Sequence, residues 1–363
     1  MASVWTASWF EYIIRSDRRR NDQEREIGAR YGMKELKVGV IGCGRHAQGH
    51  FRMIADEPRL HLAAIAELDD GRRKAAAAEH KPEQAFDDYG DMLEAVDLDL
   101  VYVETMPGHL LPIVLTCLEE GLNVSVEKSP GMSSAETATM ADAARDSKGK
   151  AIVSFNRRYF PEVLAVRRMV RERGGAVHVG ATYNKPITAI GTPAMADIAP
   201  DPLICDAIHH VDLLRWLAGS SQETAAVPSE VYSEVQDGER PGAHRHNASI
   251  RFDTGAIGGL MSHYGVGYRI QRAEVHADDF SAYLDLTRKP RVDVYAAAGD
   301  DGRGNATAEP MELELGDYAG FNETIHFVDC ILNGGTPWST LDDAVQTMRL
   351  CEAIRRGHKG ELE

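Results

Sequence analysis

One stretch near the start of the chain constrains the fold more than any other, because an apolar run breaks into a glycine-rich turn and then a helical pattern. The run is Leu36–Ile41, followed by Gly-Cys-Gly-Arg-His-Ala. In the order strand, Gly-x-Gly-x-x-Ala, helix, the glycines allow a tight turn and a close approach of backbone to a pyrophosphate, and the helix amides face the phosphates. The stretch therefore predicts a dinucleotide cofactor bound by Gly42, Gly44, Arg45, His46 and Ala47.

A second apolar run, residues 60–66, ends at Glu67, about 20 residues past the glycines, which is the usual place of a ribose-binding carboxylate. Such a carboxylate accepts hydrogen bonds from both ribose hydroxyls and repels a 2′-phosphate. We therefore predict NAD, with NADP less favoured. Arg72 and Arg73 follow closely, so a phosphate-binding role for them stays open.

From 36 to 156, strand and helix patterns alternate, which predicts parallel strands joined by right-handed crossovers. The predicted strands are 36–41, 60–66, 99–104, 122–127 and 150–155, and the predicted helices are 46–56, 71–80, 89–96, 108–120 and 133–147. Ligands of such sheets bind at the carboxyl ends of the strands. We therefore expect the following residues beside the cofactor: Thr105, Pro107, His109, Glu127 and Lys128.

The remainder of the chain has a different pattern. A helix is predicted near 160–173, a strand near 176–183, a loop over 185–203 and a helix over 204–218. Short alternating runs then predict a mostly antiparallel sheet with one covered face, from strands at 230–236, 247–252, 256–262, 272–277, 281–287 and 291–296. Helices near 320–333 and 340–356 close the chain. The predicted parts are a poorly ordered extension (1–33), a Rossmann domain (34–156) and a second α/β domain (157–363).

Composition excludes several functions. A chain of 363 residues can form two separate cores, and its net charge of −16 argues against nucleic acid or an anionic membrane surface as the main partner. The five cysteines are odd in number and contain no Cys-x-x-Cys pair, which argues against a disulfide framework and a structural zinc site. We predict a cytoplasmic protein that acts on a small molecule.

Lys128 is a candidate for proton transfer. Moving a hydride from an alcohol to NAD requires a group that takes the hydroxyl proton. Lys128 lies just past a predicted strand end, where an oxidised nicotinamide would lower its pKa. The alternative is a surface lysine that pairs with Glu127.

A second candidate cluster lies on the predicted helix 204–218. There Asp206 is one helical turn from both His209 and His210, so a carboxylate–imidazole pair can form with either. The other histidines, at 244, 246, 263 and 276, show no recognised ligand spacing with these two, and we predict no metal site. Arg157 binds a polar or carboxylate group of the substrate, or begins a helix as part of a charge pair.

These pieces, taken together in order, resemble the Gfo/Idh/MocA oxidoreductases over about residues 34–357. The matching segments are Val-Gly-Val-Ile-Gly-Cys-Gly-Arg, Thr-Met-Pro with His109, Gly121–Pro130, Phe155–Pro161, Ile208–Gly219 and Phe327–Pro337. The resemblance implies a Rossmann domain, a C-terminal α/β domain whose open sheet forms a homodimer or homotetramer, a nicotinamide cofactor, and a sugar, cyclitol or related polyol as substrate.

The resemblance also implies roles for individual residues. The family's Glu-Lys-Pro lysine maps to Lys128, which would contact the nicotinamide ribose and the substrate, and its catalytic histidine maps to His209. The chain departs from the family by having Glu-Lys-Ser-Pro and by having Asp206 one residue later than the family's aspartate. Either Asp206 serves His209, which we prefer, or His210 has taken the role.

Three functions follow from these observations. The preferred one is an NAD-dependent dehydrogenase of a secondary hydroxyl, with Lys128, Arg157, Asp206 and His209 at the substrate. The second is a redox-neutral NAD-dependent glycosidase or lyase, in which the oxidation is transient. The third is a non-catalytic dinucleotide-binding regulator.

Overall fold

The computed structural model describes residues 34–186, 190, 192–303 and 306–362, so the predicted extension 1–33 lies outside the described residues. Two sheets organise this part of the chain, one of six strands and one of nine. Among the described residues, no helix is both long and apolar enough to cross a membrane.

The first sheet is parallel throughout, in the order β3-β2-β1-β4-β5-β6. Its strands are β1 Leu36–Ile41, β2 Leu60–Ala66, β3 Gln84–Phe86, β4 Leu100–Val103, β5 Asn123–Val126 and β6 Ala151–Val153. Its helices are α1 Ala47–Asp56, α2 Asp70–His80, α3 Tyr89–Ala95, α4 Pro107–Glu119 and α5 Ser134–Asp146. This is the predicted Rossmann arrangement, with the crossing point between β1 and β4.

The second sheet has the order β14-β13-β12-β11-β7-β10-β9-β8-β15, and only β7 and β10 pair in parallel. Its strands are β7 His178–Lys185, β8 Pro228–Asp237, β9 His244–Phe252, β10 Ile257–Tyr264, β11 Ile270–Ala277, β12 Phe280–Asp285, β13 Arg291–Asp300, β14 Ala306–Met311 and β15 Lys359–Glu361. The helices are α6 Pro161–Arg171, α7 Ile208–Ala218, α8 Glu323–Asn333 and α9 Leu341–Arg355. The predicted mostly antiparallel sheet is confirmed.

Helix α8 comes from the end of the chain but packs on the first sheet. Phe327 and Val328 lie in one buried cluster with Val38 of β1 and with Phe51 of α1. Since the first sheet needs helices on both faces to bury its apolar strands, α1 and α8 together cover one face. The two sheets are therefore parts of one packed structure.

A buried ion-pair network joins the short helical turn after β6 to helices α7 and α9. The Arg158 guanidinium is fully buried and donates to the carboxylates of Asp212 in α7 and Asp343 in α9. Arg215 donates to the same Asp343 carboxylate at 2.7 Å. Breaking such a buried pair by removing one partner costs about 3–5 kcal/mol, since it leaves an uncompensated charge.

Candidate active site

A cleft of about 750 Å³ opens at the carboxyl ends of β1, β2, β4 and β5, as expected for a sheet of this topology. Every predicted cofactor-binding residue except Ala47 lines it. They are Gly42, Gly44, Arg45, His46, Glu67, Thr105, Pro107, His109, Glu127 and Lys128. Ala47 is fully buried beneath the turn, where it belongs to the core. We refer to this space as the cofactor cleft.

The glycine turn has the shape that a pyrophosphate requires. Gly42 has φ +90°, and a Cβ there would lie 2.7 Å from the backbone oxygen of Glu104. A Cβ on Gly44 would meet no atom within 4 Å, so the backbone borders open space in the cleft. No side chain caps the first turn of α1, which leaves its amides available to an anion.

Glu67 lies at the end of β2 with a carboxylate fixed from several sides. One oxygen accepts from the amide of Cys43 at 2.8 Å, and the other from the amide of Asp69 at 3.0 Å and from Arg72 at 2.7 Å. Burial acts to raise the pKa of Glu67, but the hydrogen bonds from Arg72 and these amides lower it below its usual value. An ionised carboxylate therefore stands where the adenosine ribose would bind.

The two arginines after β2 are engaged by the protein itself. Arg72 pairs with Glu67, and Arg73 donates to the backbone oxygen of Glu67 and to Asp70, both at 2.8 Å. A 2′-phosphate would have to displace these contacts and approach the Glu67 carboxylate. This geometry favours NAD.

Lys128 is buried and paired, so it is not the surface lysine of the alternative prediction. Its Nζ lies 3.2 Å from Glu127 Oε1 and donates to the backbone oxygen of Cys205 at 3.2 Å. Burial acts to lower the pKa of Lys128, but the carboxylates of Glu127 and Asp206 raise it above its usual value. The positive charge of a bound oxidised nicotinamide would lower the pKa of Lys128, and so would act against these carboxylates.

Glu127 connects Lys128 to the exposed edge of the cleft. Its Oε1 lies 3.1 Å from Nδ1 of His46, a side chain that is 59% exposed. Burial acts to raise the pKa of Glu127, but Lys128 and then His46 lower it to about 2. Glu127 is therefore ionised at neutral pH and holds the Lys128 ammonium in place.

The predicted helix 204–218 begins with a π-helical turn, Leu203–Ala207, before α7 starts at Ile208. The Asp206 carboxylate accepts from Tyr183 at 2.6 Å, from Lys185 at 2.5 Å and from Tyr264 at 3.1 Å. No hydrogen bond joins it to a histidine in the part of the chain that the structure describes. The predicted carboxylate–imidazole pair is therefore not formed, because the Asp206 carboxylate is engaged by these groups of the second sheet instead.

The two adjacent histidines differ in environment. His209 is half-buried, and its Nδ1 has no hydrogen-bond partner among the described residues. Burial, followed by the charges of Arg157 and Lys128, lowers the pKa of His209 well below its usual value. His210 is fully buried, contacts Arg157 and lies edge-on to Tyr183 with ring centroids 5.0 Å apart. Of the two imidazoles, His209 is thus the one that has a ring nitrogen without a hydrogen-bond partner among the described residues, which favours it over His210 as the proton acceptor.

Arg157 is buried rather than open to solvent. Its guanidinium donates to His210 and, at 2.7 Å, to Oε1 of Gln271. Burial lowers the pKa of Arg157 to about 10. The arginine therefore supports the side chains behind His209, and its predicted contact with substrate stays a prediction.

Sequence reasoning missed a buried carboxyl on the floor of the cofactor cleft. Glu104 follows β4 directly, and neither of its oxygens has a hydrogen-bond partner among the described residues. Nε2 of His50 lies 3.4 Å from its Oε1. Burial, together with the carboxylates of Glu127 and Glu323, raises the pKa of Glu104 well above its usual value. Its position at the carboxyl end of a predicted strand was the sequence signal that could have identified it as a cleft residue.

In a comparison with known proteins, both halves of the chain match models of the same protein family. Residues 36–155 match a family model described as an oxidoreductase family with an NAD-binding Rossmann fold, and residues 201–361 match that family's C-terminal alpha/beta domain. The chain is 25% identical to a D-apiose dehydrogenase of Paraburkholderia graminis over 91% of each protein. It is 33% identical to an inositol 2-dehydrogenase of Rubrobacter xylanophilus over 50% of this chain and 52% of that protein.

A solved structure has the same fold. A levoglucosan dehydrogenase in complex with NADH superimposes with a TM-score of 0.78 and 20% identity, covering 91% of this chain and all of that one. At this identity the likeness supports the architecture described above.

Proposed function

Because the chain belongs to the Gfo/Idh/MocA family of oxidoreductases, we propose that it is an NAD-dependent oxidoreductase that acts on a secondary hydroxyl of a sugar, cyclitol or related polyol. The names of the dehydrogenases that it resembles support this substrate class. The observation that carries the proposal is the hydrogen bond between Lys128 and the Cys205 backbone, since Cys205 lies in the turn that leads into His209.

The residues present fit the cofactor. The open space at Gly44 and the free amides of α1 suit the pyrophosphate, and Glu67 suits the adenosine ribose. NAD, when bound, supplies the hydride acceptor of the reaction. Arg45, Thr105, Pro107 and His109 line the same space and would bind the rest of the molecule.

The proton is handled by the protein. His209 has a lowered pKa and is neutral at pH 7, so it can accept the proton of the substrate hydroxyl. Lys128 has a raised pKa and is an ammonium, so it can donate a hydrogen bond to the same oxygen and stabilise its developing negative charge. Asp206, fixed by Lys185 and two tyrosines, lies close enough to Lys128 to raise its pKa, and in this proposal it orients the substrate's other hydroxyls.

The proposal is tested by NADH formation with the purified chain and NAD. The substrate panel contains apiose, inositols, levoglucosan and sugar acids. We expect turnover with at least one of them, and a loss of about 100-fold or more in Lys128→Ala and in His209→Ala, because removing a proton-transfer group costs about 10²–10⁴-fold. His263→Ala, on the second sheet outside the cofactor cleft, is the matched control and should retain activity.

Other outcomes would replace the proposal. Tightly bound NAD, substrate conversion and no net NADH would indicate the redox-neutral glycosidase or lyase. NAD binding without conversion of any compound in the panel would indicate a regulator.

We also propose a homodimer or homotetramer in the cytoplasm, with neither nucleic acid nor a membrane as partner. All five cysteines are free and buried, which suits a reducing compartment. The outer face of the second sheet, the side that faces away from α6 and α7, exposes Ile257, Met261 and Tyr283. Light scattering after size exclusion should show the oligomer, and Met261→Glu with Tyr283→Glu should dissociate it.

A further inference from the structure

Three metal-ligating side chains meet on the outer face of the second sheet, away from the cofactor cleft. His178 lies on β7, and Glu274 and His276 lie on its neighbour β11. In the antiparallel register His276 is directly opposite His178, and Glu274 is opposite Gly180. Residues two apart on a strand share a face, so all three side chains project from the same side.

The ligand atoms are close together. One ligand atom from each residue lies within 4.8 Å of those of the other two. The two imidazole centroids are 5.6 Å apart, and Nε2 of His276 lies 3.9 Å from Oε1 of Glu274. Two ligands of a tetrahedral zinc ion lie about 3.3 Å apart, since each is about 2 Å from the metal. The three ligand atoms, within 4.8 Å of one another, are therefore already near the separation that a shared ion requires.

The surroundings hold the ligands in position. Nδ1 of His276 lies 2.8 Å from Oγ of Ser281 on β12, which fixes the ring and leaves Nε2 for the cluster. Such a hydrogen bond to the second nitrogen is typical of metal-binding histidines. Glu274 lies over Gly180, where a Cβ would be only 2.8 Å from Cγ of the glutamate. The absence of a side chain at 180 thus makes room for the carboxylate.

We propose that His178, Glu274 and His276 bind one divalent transition-metal ion, of the zinc class. Two imidazoles and a carboxylate form a known ligand set for zinc, and they leave at least one coordination position open. That position faces a trough of about 780 Å³, also lined by Arg272 and Tyr283, so water or a group of a second copy of the chain docked on this face can complete the coordination. Chain spacing alone predicted no metal, because the ligands come from two strands about 100 residues apart in sequence.

The test uses the untagged full-length chain after treatment with a chelator, with Co²⁺ as a spectroscopic probe. We expect a saturable visible absorption band at one Co²⁺ per chain, abolished by Zn²⁺. His178→Ala, Glu274→Gln and His276→Ala should each weaken Co²⁺ binding about tenfold or more. Circular dichroism of the metal-free variants establishes that each is folded.

The matched control is His263→Ala, because His263 lies on the same sheet in β10 but outside the cluster. It should bind Co²⁺ as the unsubstituted chain does. The proposal is overturned if no saturable band forms, or if the three variants bind Co²⁺ as tightly as the control. The measurement requires neither NAD nor a substrate, so its result is independent of the proposed oxidoreductase activity.

Discussion

We expect cofactor choice to depend on Glu67, since this residue lines the cofactor cleft and accepts hydrogen bonds from both Arg72 and Arg73. Its carboxylate is held by two amides as well as by Arg72, so it is rigid before any cofactor binds. Preorganisation of this kind reduces the entropic cost of binding. We therefore expect discrimination between NAD and NADP to depend on Glu67 and on the two arginines bonded to it.

Glu67→Ala should change that discrimination. It removes a charged hydrogen-bond acceptor and releases Arg72 towards a 2′-phosphate, so we expect NADH affinity to fall about tenfold or more and NADPH affinity to rise. Fluorescence titration with both cofactors measures the ratio. Asp70→Asn is the control, because it releases part of Arg73 and leaves Glu67 intact. An unchanged ratio in Glu67→Ala would show that another residue selects the cofactor.

The buried carboxyl of Glu323 should make the stability of the fold depend on pH. Burial raises the pKa of this carboxyl to about 8, above its unfolded value. Its contribution to stability is therefore complete below about pH 4.5 and is lost as the pH rises towards 8. The unfolding free energy of Glu323→Gln, relative to the unsubstituted chain, should increase by roughly 2–4 kcal/mol between pH 5 and pH 8. Urea unfolding across this range measures it, and a constant difference would contradict it.

Helices and strands were predictable from the sequence where the apolar pattern lies within the segment itself. The strand and helix positions of the first sheet agree with the predictions to within about two residues, apart from β3. That strand was missed because Gln84–Phe86 is a three-residue edge strand without a buried apolar run. The turn at Leu203–Ala207 was predicted mostly as ordinary helix, because a five-residue segment is too short for its apolar spacing to distinguish a π-helical turn from an α-helical one. The partners of Asp206 were missed as well, because Tyr183, Lys185 and Tyr264 lie on strands distant in sequence.

Helix α4 begins in close contact with the loop that follows β7, and the contact is made at Gly108. A Cβ on Gly108 would lie 2.7 Å from the backbone oxygen of Asp197. Gly108→Ala should therefore displace the loop and cost about 1–3 kcal/mol of stability. Gly49→Ala, in the first turn of α1 with no atom near its Cβ, should instead stabilise by up to about 1 kcal/mol. Urea midpoints of the two variants should move in opposite directions, and a common direction would refute the packing argument.

The packing of the whole molecule crosses the domain boundary that sequence patterning predicts at residue 156. The family models separate two domains, yet the cluster around Val38 and Phe51 is completed by Phe327 and Val328 from the far end of the chain. Such a contact between distant segments has no local signal. The boundary at residue 156 stays a prediction about the fold, while the packing of the first sheet extends beyond it.

A fragment of residues 34–156 should accordingly fail to fold as a soluble monomer. Without α8, one face of its sheet exposes the side chains that Phe327 and Val328 cover, and such a patch favours association. Sedimentation and the proton NMR spectrum of the fragment test this, with the chain from residue 34 to its end as the control. A monomeric fragment with dispersed resonances would show that the first sheet is independent of α8.

Helix α8 also has a consequence for synthesis on the ribosome. Its residues leave the ribosome about 170 positions after β6, and at roughly 5–20 residues per second this interval lasts roughly 10–35 s. During that time the first sheet is complete in sequence but lacks the part of its cover that α8 provides, so the nascent chain presents an apolar strip to chaperones and other proteins that bind exposed apolar segments. Slower translation of the second half would lengthen this exposure, and chaperone dependence should increase with it.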